Sequence, residues 1–221
     1  MPRLLLSLSL LMAFALQSSA FSVFMTGDSH VCSEIYPEKV AEILLAHEPD
    51  IEFAYWGKIG AGFYTFNDTP EYMQEIYDGH PDLLIVHLGT NDCYMKDFSK
   101  QKYKEDMEVF YANVREHFPR CRMVFVTPFF NKFKDGTVNH FNRDCADATL
   151  EFSATHPDTF VVDNNAAHGH EFLAAGHSLI RPDNVHLTEK GYELLAGQVG
   201  EAIVGNPDIW MPEEPAYEEP D

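Results

Sequence analysis

The chain has 221 residues, with 35 Asp and Glu against 15 Lys and Arg, a formal charge of −20. That excess opposes binding to nucleic acid or to an anionic membrane surface, both of which are polyanionic. Length and a hydrophobic content of 45% suit one domain able to bury its own core.

The first element is a leader. Arg3 gives a positive start, Leu4 to Leu16 is almost wholly apolar, and Ser18-Ser19-Ala20 supplies small residues for cleavage. Residues 1–20 are therefore expected to be a secretory signal peptide cut after Ala20. Its apolar run is too short to cross a bilayer comfortably, and no later stretch approaches that length, so no membrane span is expected in an exported, soluble product. Five short apolar runs then predict strands at Ser22–Thr26, Ile51–Trp56, Leu83–Leu88, Met123–Thr127 and Phe160–Asp163. Between them, Tyr36, Val40, Ile43, Leu44 and His47 share one helical face, as do Tyr103, Met107, Phe110, Val114 and Phe118. Thr69-Pro70-Glu71 opens a shorter helix with proline in its first turn. Thr188 is placed to cap a last helix through Tyr192, Leu194, Leu195, Val199 and Ile203. Alternating β and α units imply a parallel sheet with helices on both faces, in a single domain over residues 21–204. Residues 205–221 form an acidic, proline-bearing tail whose like charges resist folding.

Three fragments carry chemistry. Gly27-Asp28-Ser29-His30 follows the first strand, Gly89-Thr90-Asn91-Asp92 the third, and Asp183-Asn184-Val185-His186 precedes the last helix. In a parallel sheet all strand C-termini share one edge, where open sheets of this class bind ligands, so the fragments converge. A serine hydroxyl needs a base to become a nucleophile, and a histidine held by a carboxylate is such a base. Asp183 and His186, three apart in one loop, fit those two roles, with Ser29 as nucleophile. Acyl transfer also needs donors for the developing oxyanion, and the N–H groups of Ser29 and Gly60 with the Asn91 amide supply three.

The three blocks resemble those of SGNH hydrolases, the GDSL esterase/lipase superfamily. Gly27-Asp28-Ser29 matches the first block, Gly89-Thr90-Asn91-Asp92 the third and Asp183-Asn184-Val185-His186 the fifth. The second, an oxyanion glycine, is matched by Gly60 in Gly57-Lys58-Ile59-Gly60-Ala61-Gly62, with Gly62 as the alternative. The resemblance implies an α/β fold of three layers, α/β/α, built on a flavodoxin-like five-stranded parallel sheet. It also implies Ser29, His186 and Asp183 as catalytic triad, and Ser29, Gly60 and Asn91 as oxyanion hole, with no cofactor and no metal. His30 stands where the name-giving motif has leucine, a change that need not touch the chemistry.

Three rival readings are weaker. An α/β-hydrolase needs a Gly-x-Ser-x-Gly elbow, absent here. A metallophosphoesterase would use Asp28, Asn91, Asp92 and His186 as ligands but would also want an Asp-x-His pair on the first strand, where Phe24-Met25-Thr26 stands. A glycan-binding module that has lost turnover would not need the whole triad. His168, His170 and His177 lack the spacing that completes a metal set and are read as loop packing, and His80 and His87 as structural.

Four cysteines in an exported chain favour two disulfides over free thiols. Of three pairings, Cys32–Cys93 and Cys121–Cys145 are expected, because Cys32 follows Ser29 and Cys93 follows Asn91 on one rim. Aromatics crowd the loops after strands two and four: Tyr55, Trp56, Phe63, Tyr64 and Phe66, then Phe129, Phe130, Phe133 and Phe141. Some pack under helices, while the rest form a platform suited to sugar rings or acyl chains. The expected partner is thus a small ester, foremost an acetylated glycan; the alternative is a lipolytic esterase, thioesterase or lysophospholipase.

Overall fold

The computed structural model describes residues 20–129, 131–133, 136–165 and 169–210. The expected leader before residue 20, the tail from residue 211, Phe130 and His168 lie outside the described residues.

Five parallel strands form one sheet: β1 (Phe21–Gly27), β2 (Ile51–Gly57), β3 (Leu83–His87), β4 (Arg122–Val126) and β5 (Thr159–Val162), in the order β2-β1-β3-β4-β5. Each expected strand forms. The order reverses at β1, so the crevice above the C-terminal ends of β1 and β3 is the place where such sheets bind ligands. Among the described residues five helices connect the strands, α1 (Ile35–His47), α2 (Phe63–Asp68), α3 (Pro70–Asp78), α4 (Lys100–His117) and α5 (Phe141–Ser153), and two follow β5, α6 (Gly169–Ala175) and α7 (Glu189–Val204).

Strand alternation divides the core in two. Val23, Met25, Leu83, Ile85 and Val124 point to one face, where Tyr36, Val40 and Leu44 of α1 meet Tyr192, Leu195, Val199 and Ile203 of α7. Phe24, Leu84, Val86, Met123 and Phe125 point to the other, under Met73 and Ile76 of α3, Met107, Phe110 and Val114 of α4, and Phe152 of α5. A sheet covered on both faces needs strands that are apolar throughout, and β3 and β4 are buried along their whole length. On α1 only the inner part of the expected face is buried; His47 is exposed and its ring lies 5.5 Å from that of Trp210.

The ordered domain runs beyond residue 204. Pro207–Ile209 form a 3-10 turn, Ile209 is buried, and the Trp210 indole donates to the Ile203 carbonyl at 3.1 Å. The Trp210 ring also packs 5.9 Å from Phe21 at the start of β1. Burial of these two side chains joins residues 205–210, grouped with the tail by composition, to the core.

Gly27 ends β1 in a space that admits no side chain. A Cβ there would stand 2.4 Å from the His87 carbonyl oxygen and 2.6 Å from Val31. Because the first obstacle is main chain of the neighbouring strand, Gly27→Ala is expected to cost about 1–3 kcal/mol, lowering the urea midpoint; an unchanged midpoint would show that β1 and β3 separate freely here.

Candidate active site

Ser29 stands one residue past Asp28 at the end of β1, an interior strand of the sheet, where the chain leaves through a 3-10 turn at Val31–Ser33. Its backbone is anchored on both sides. Asp28 N–H donates to the His87 carbonyl at 3.3 Å and Lys58 N–H donates to the Gly27 carbonyl at 2.9 Å. The side chain is partly open to solvent.

His186 Nε2 lies 2.9 Å from Ser29 Oγ, and His186 Nδ1 lies 2.9 Å from Asp183 Oδ2. With Nδ1 donating to the carboxylate, Nε2 is the acceptor facing the serine hydroxyl. The turn that carries both groups shapes itself. Asp183 Oδ1 accepts N–H bonds from Val185 and His186, each 2.9 Å, and Asn184 adopts a left-handed φ of 64°. A single bridge between Ile180 and Leu187 closes the loop, and Thr188 caps α7 by accepting from Gly191 N–H. Partial burial pushes the Asp183 carboxyl upward, but the two backbone donors and the His186 ring outweigh it and hold the group below the usual carboxylate range. The carboxylate is thus kept charged beside the imidazole it orients.

Asn91 follows β3, and its amide nitrogen donates to the Ala61 carbonyl at 2.9 Å and to Asp28 Oδ2 at 3.3 Å. The side chain is thereby fixed between the loops after β1 and β2. Of the two candidate glycines, Gly62 gives its N–H to Thr65 Oγ1 at 2.7 Å. Gly60, at φ 79° on the exposed turn after β2, has no acceptor for its N–H among the described residues. Ser29 N–H likewise has no acceptor among the described residues. The structure therefore brings together Ser29, His186, Asp183, Asn91 and the Gly60 turn, from four loops of one sheet edge.

Sequence reasoning missed the layer beneath. His30 is fully buried: its ring lies 5.7 Å from that of His186, 5.1 Å from Phe129 and 5.6 Å from His87, nearly parallel to the last. His30 Nδ1 hydrogen-bonds the Tyr192 hydroxyl at 3.2 Å, and His87 Nδ1 the Tyr36 hydroxyl at 3.1 Å. Burial depresses both imidazoles, His87 to about 3 and His30 well below its ordinary value, so two neutral rings back the Asp183–His186 loop. His30 therefore packs directly on His186, a contact that leucine at this position would make without the Tyr192 bond. The signal was present in the alternation of β3, which turns His87 toward the α1 face.

The expected disulfides do not form; Cys32, Cys93, Cys121 and Cys145 are all free thiols. Cys32 lies against Gly57 of β2, whereas Cys93 Sγ faces the other way, donating to Asn142 Oδ1 at 2.8 Å and to the Thr90 carbonyl at 3.1 Å. Cys121 precedes β4 at the strand N-terminal edge, while Cys145 on α5 approaches the Gly89 carbonyl at the opposite edge. A shared rim thus does not bring the sulfurs together. Nor do all the rim aromatics reach the surface. Phe63, Phe66 and Phe129 are buried, leaving Tyr55 and Phe141 exposed, with Trp56, Tyr64 and Phe133 partly so. Phe133 meets Tyr94, which the composition of the loops had not singled out, with ring centroids 5.6 Å apart.

Two carboxyls are buried beneath Asn91. Asp28 accepts from His30 N–H at 2.9 Å and Asp92 from Phe63 N–H at 3.0 Å, and burial pushes both up to about 7. The folded chain holds these protons more tightly than the unfolded chain, whose carboxyls titrate near 3.8. Their stabilising contribution is therefore complete below the unfolded value and is lost as pH rises through about 7. Asp92→Asn removes one such loss, so the variant's urea midpoint is expected to gain on wild type between about pH 5 and about pH 8. A constant difference across that window would mean that Asp92 is not protonated in the fold.

Comparison with known proteins gives the arrangement its context. A search of curated proteins by sequence found no match. Among solved structures, the chain resembles a catalytic mutant of Axe2, an acetylxylan esterase from Geobacillus stearothermophilus, at 19% identity and a TM-score of 0.65, covering 85% of this chain and 95% of that one. It also resembles the lipase/acylhydrolase of Enterococcus faecalis (18% identity, TM-score 0.64, 83% and 96% covered) and a family 3 carbohydrate esterase of Talaromyces cellulolyticus (17%, 0.62, 83% and 96%). At such identities the likeness is one of fold. Residues 26–194, from the end of β1 into α7, match the model of the GDSL-like lipase/acylhydrolase family, and the chain belongs to that family of ester-hydrolysing enzymes.

Proposed function

We propose that the protein is an exported serine esterase that removes acetyl groups from carbohydrate. The observation that carries the serine mechanism is the continuous line from Ser29 Oγ through His186 to Asp183, with two unengaged N–H groups beside it. In the first half-reaction Ser29 Oγ attacks the ester carbonyl carbon while His186 Nε2 takes the hydroxyl proton. The oxyanion is received by Ser29 N–H and Gly60 N–H, and by the Asn91 amide as it exchanges its longer bond, 3.3 Å to Asp28 Oδ2, for the substrate oxygen. His186 returns the proton to the leaving sugar oxygen, leaving an acetyl-serine. Water then attacks that ester with His186 again as base, releasing acetate and restoring Ser29. Asp183 keeps the imidazole in the reactive tautomer and balances its transient positive charge.

Export is part of the reading because Arg3, the apolar run and Ser18-Ser19-Ala20 form a cleavable leader pattern. The carbohydrate preference is supported by the exposed aromatics Tyr94 and Phe141 on the site's rim and by likeness in fold to an acetylxylan esterase. A second reading, a lipolytic esterase, is favoured by one observation: Ile59, next to Gly60, is 74% exposed and suits contact with an acyl chain.

Ser29→Ala is expected to abolish turnover and fluorophosphonate labelling without lowering the melting temperature; surviving activity would dismiss the triad. Asn91→Ala is expected to lower kcat by about 10² to 10³ if its amide serves the oxyanion. A series of nitrophenyl esters separates the two readings, since a steep preference for acetate supports deacetylation and a maximum at long chains supports lipolysis.

A further inference from the structure

The chain's excess of acid leaves few cations to spare. Lys39 pairs with Glu42, Lys100 and Lys104 with Glu151, Lys102 with Asp106, Arg115 with Asp158 and Arg143 with Asp147. Buried Arg122 is held by the Ile209 carbonyl. Among the described residues, Lys58, Lys96, Arg120, Lys132, Arg181 and Lys190 have no ion-pair partner. Arg120 lies just before β4, at the edge away from the site. Lys58, Lys96, Lys132 and Arg181 instead stand on loops at the strand C-terminal edge, and Lys190 in the first turn of α7 beside them. Positive charge that is not neutralised thus collects on the edge that carries Ser29.

Lys132 differs from the others in being half-buried. It lines a cleft of about 200 Å³ together with Leu173, Gly176, His177, Ile180 and Asn184. Lys132 N–H donates to the Asn184 carbonyl at 3.3 Å, which fixes the cleft wall to the turn bearing Asp183 and His186. Among the described residues no carboxylate lines this cleft. The nearest on the turn, Asp183, is already occupied by His186 and by two backbone N–H groups. An ammonium withdrawn from water without a counter-ion is unfavourable, and a cleft concentrates its field on whatever anion enters.

We propose that this cleft binds the carboxylate of an acidic sugar unit adjoining the acetylated one, so that the enzyme's substrates are acetylated acidic glycans. The inference rests on the carbohydrate-ester reading and adds to it a subsite, with Lys132 as the charge and the Asn184 and His177 side chains as hydrogen-bonding partners. The size suits a sugar carboxylate with part of its ring, and the leucine and isoleucine of the wall give the ring's C–H face an apolar contact.

Titration calorimetry of the whole protein with trigalacturonate and with xylotriose tests the cleft directly. Trigalacturonate is expected to bind more tightly, to weaken as NaCl rises from about 0.02 to about 0.5 M, and to lose about tenfold in affinity in Lys132→Ala. Lys132→Arg should retain binding, and Lys96→Ala, which removes an equal charge elsewhere on the same edge, should leave it unchanged. Equal binding of the two trisaccharides, or equal losses in Lys132→Ala and Lys96→Ala, would overturn the subsite. Hydrolysis of nitrophenyl acetate by the wild-type protein is measured alongside. Its absence in wild type would count against the esterase reading, while the calorimetry still decides whether the cleft holds a carboxylate.

Discussion

The close approach of β1 to both of its neighbours is the constraint on which the site depends. β1 pairs in parallel with β2 on one side and β3 on the other, and Gly27 is the last residue in both ladders. Beyond it the chain cannot pair further, so Asp28 and Ser29 rise above the sheet between two departing loops. Because Gly27 leaves no room for a side chain against the His87 carbonyl, the β2 loop with Gly60 and the β3 loop with Asn91 start from fixed positions on either side of Ser29. Three of the site's components are therefore consequences of one register.

The fourth, the Asp183–His186 turn, is organised differently. It gains its shape from its own carboxylate, which folds the backbone of Val185 and His186 around Asp183. Its position comes from the α7 face below, where Tyr192 reaches up to His30, and His30 in turn supports the His186 ring. Burial disfavours charge on the polar groups here: two imidazoles are depressed by it and two carboxyls raised by it to about 7. Asp183, at the surface, is held in its charged form beside the imidazole that the proposed mechanism protonates. This separation keeps the electrostatic cost of burial away from the atoms that change charge.

Much of this was legible in the chain. Parallel strands covered on both faces must be apolar throughout, so β1, β3 and β4 read as short hydrophobic runs bounded by turns. The three chemical blocks were visible because each lies directly after a strand or before a helix cap. What was hidden has physical reasons. α5 buries Asn142, Cys145, Ala146, Ala148 and Thr149, small or polar residues that give no hydrophobic stripe. The cysteines belong to hydrogen-bonded or packed positions whose partners, such as Asn142, lie far away in sequence. Phe63 and Phe66 looked like rim residues because they follow β2, but α2 turns them inward onto Phe110. His30 seemed incidental because its neighbours Tyr192, His87 and Phe129 come together only in three dimensions.

Ser29 and His186, joined by one hydrogen bond, are 157 positions apart in the chain. The bond forms only when α7 has docked on α1, the most distant pairing of helices in sequence. Contacts of that span come late in folding, because the long intervening segment must be closed before they stabilise anything. A chain still emerging or partly folded thus has a serine at the end of a strand but no base to deprotonate it. Under the proposed mechanism the hydroxyl is therefore inert until the topology is complete, and the appearance of nucleophilicity would be a clock for the last step of assembly.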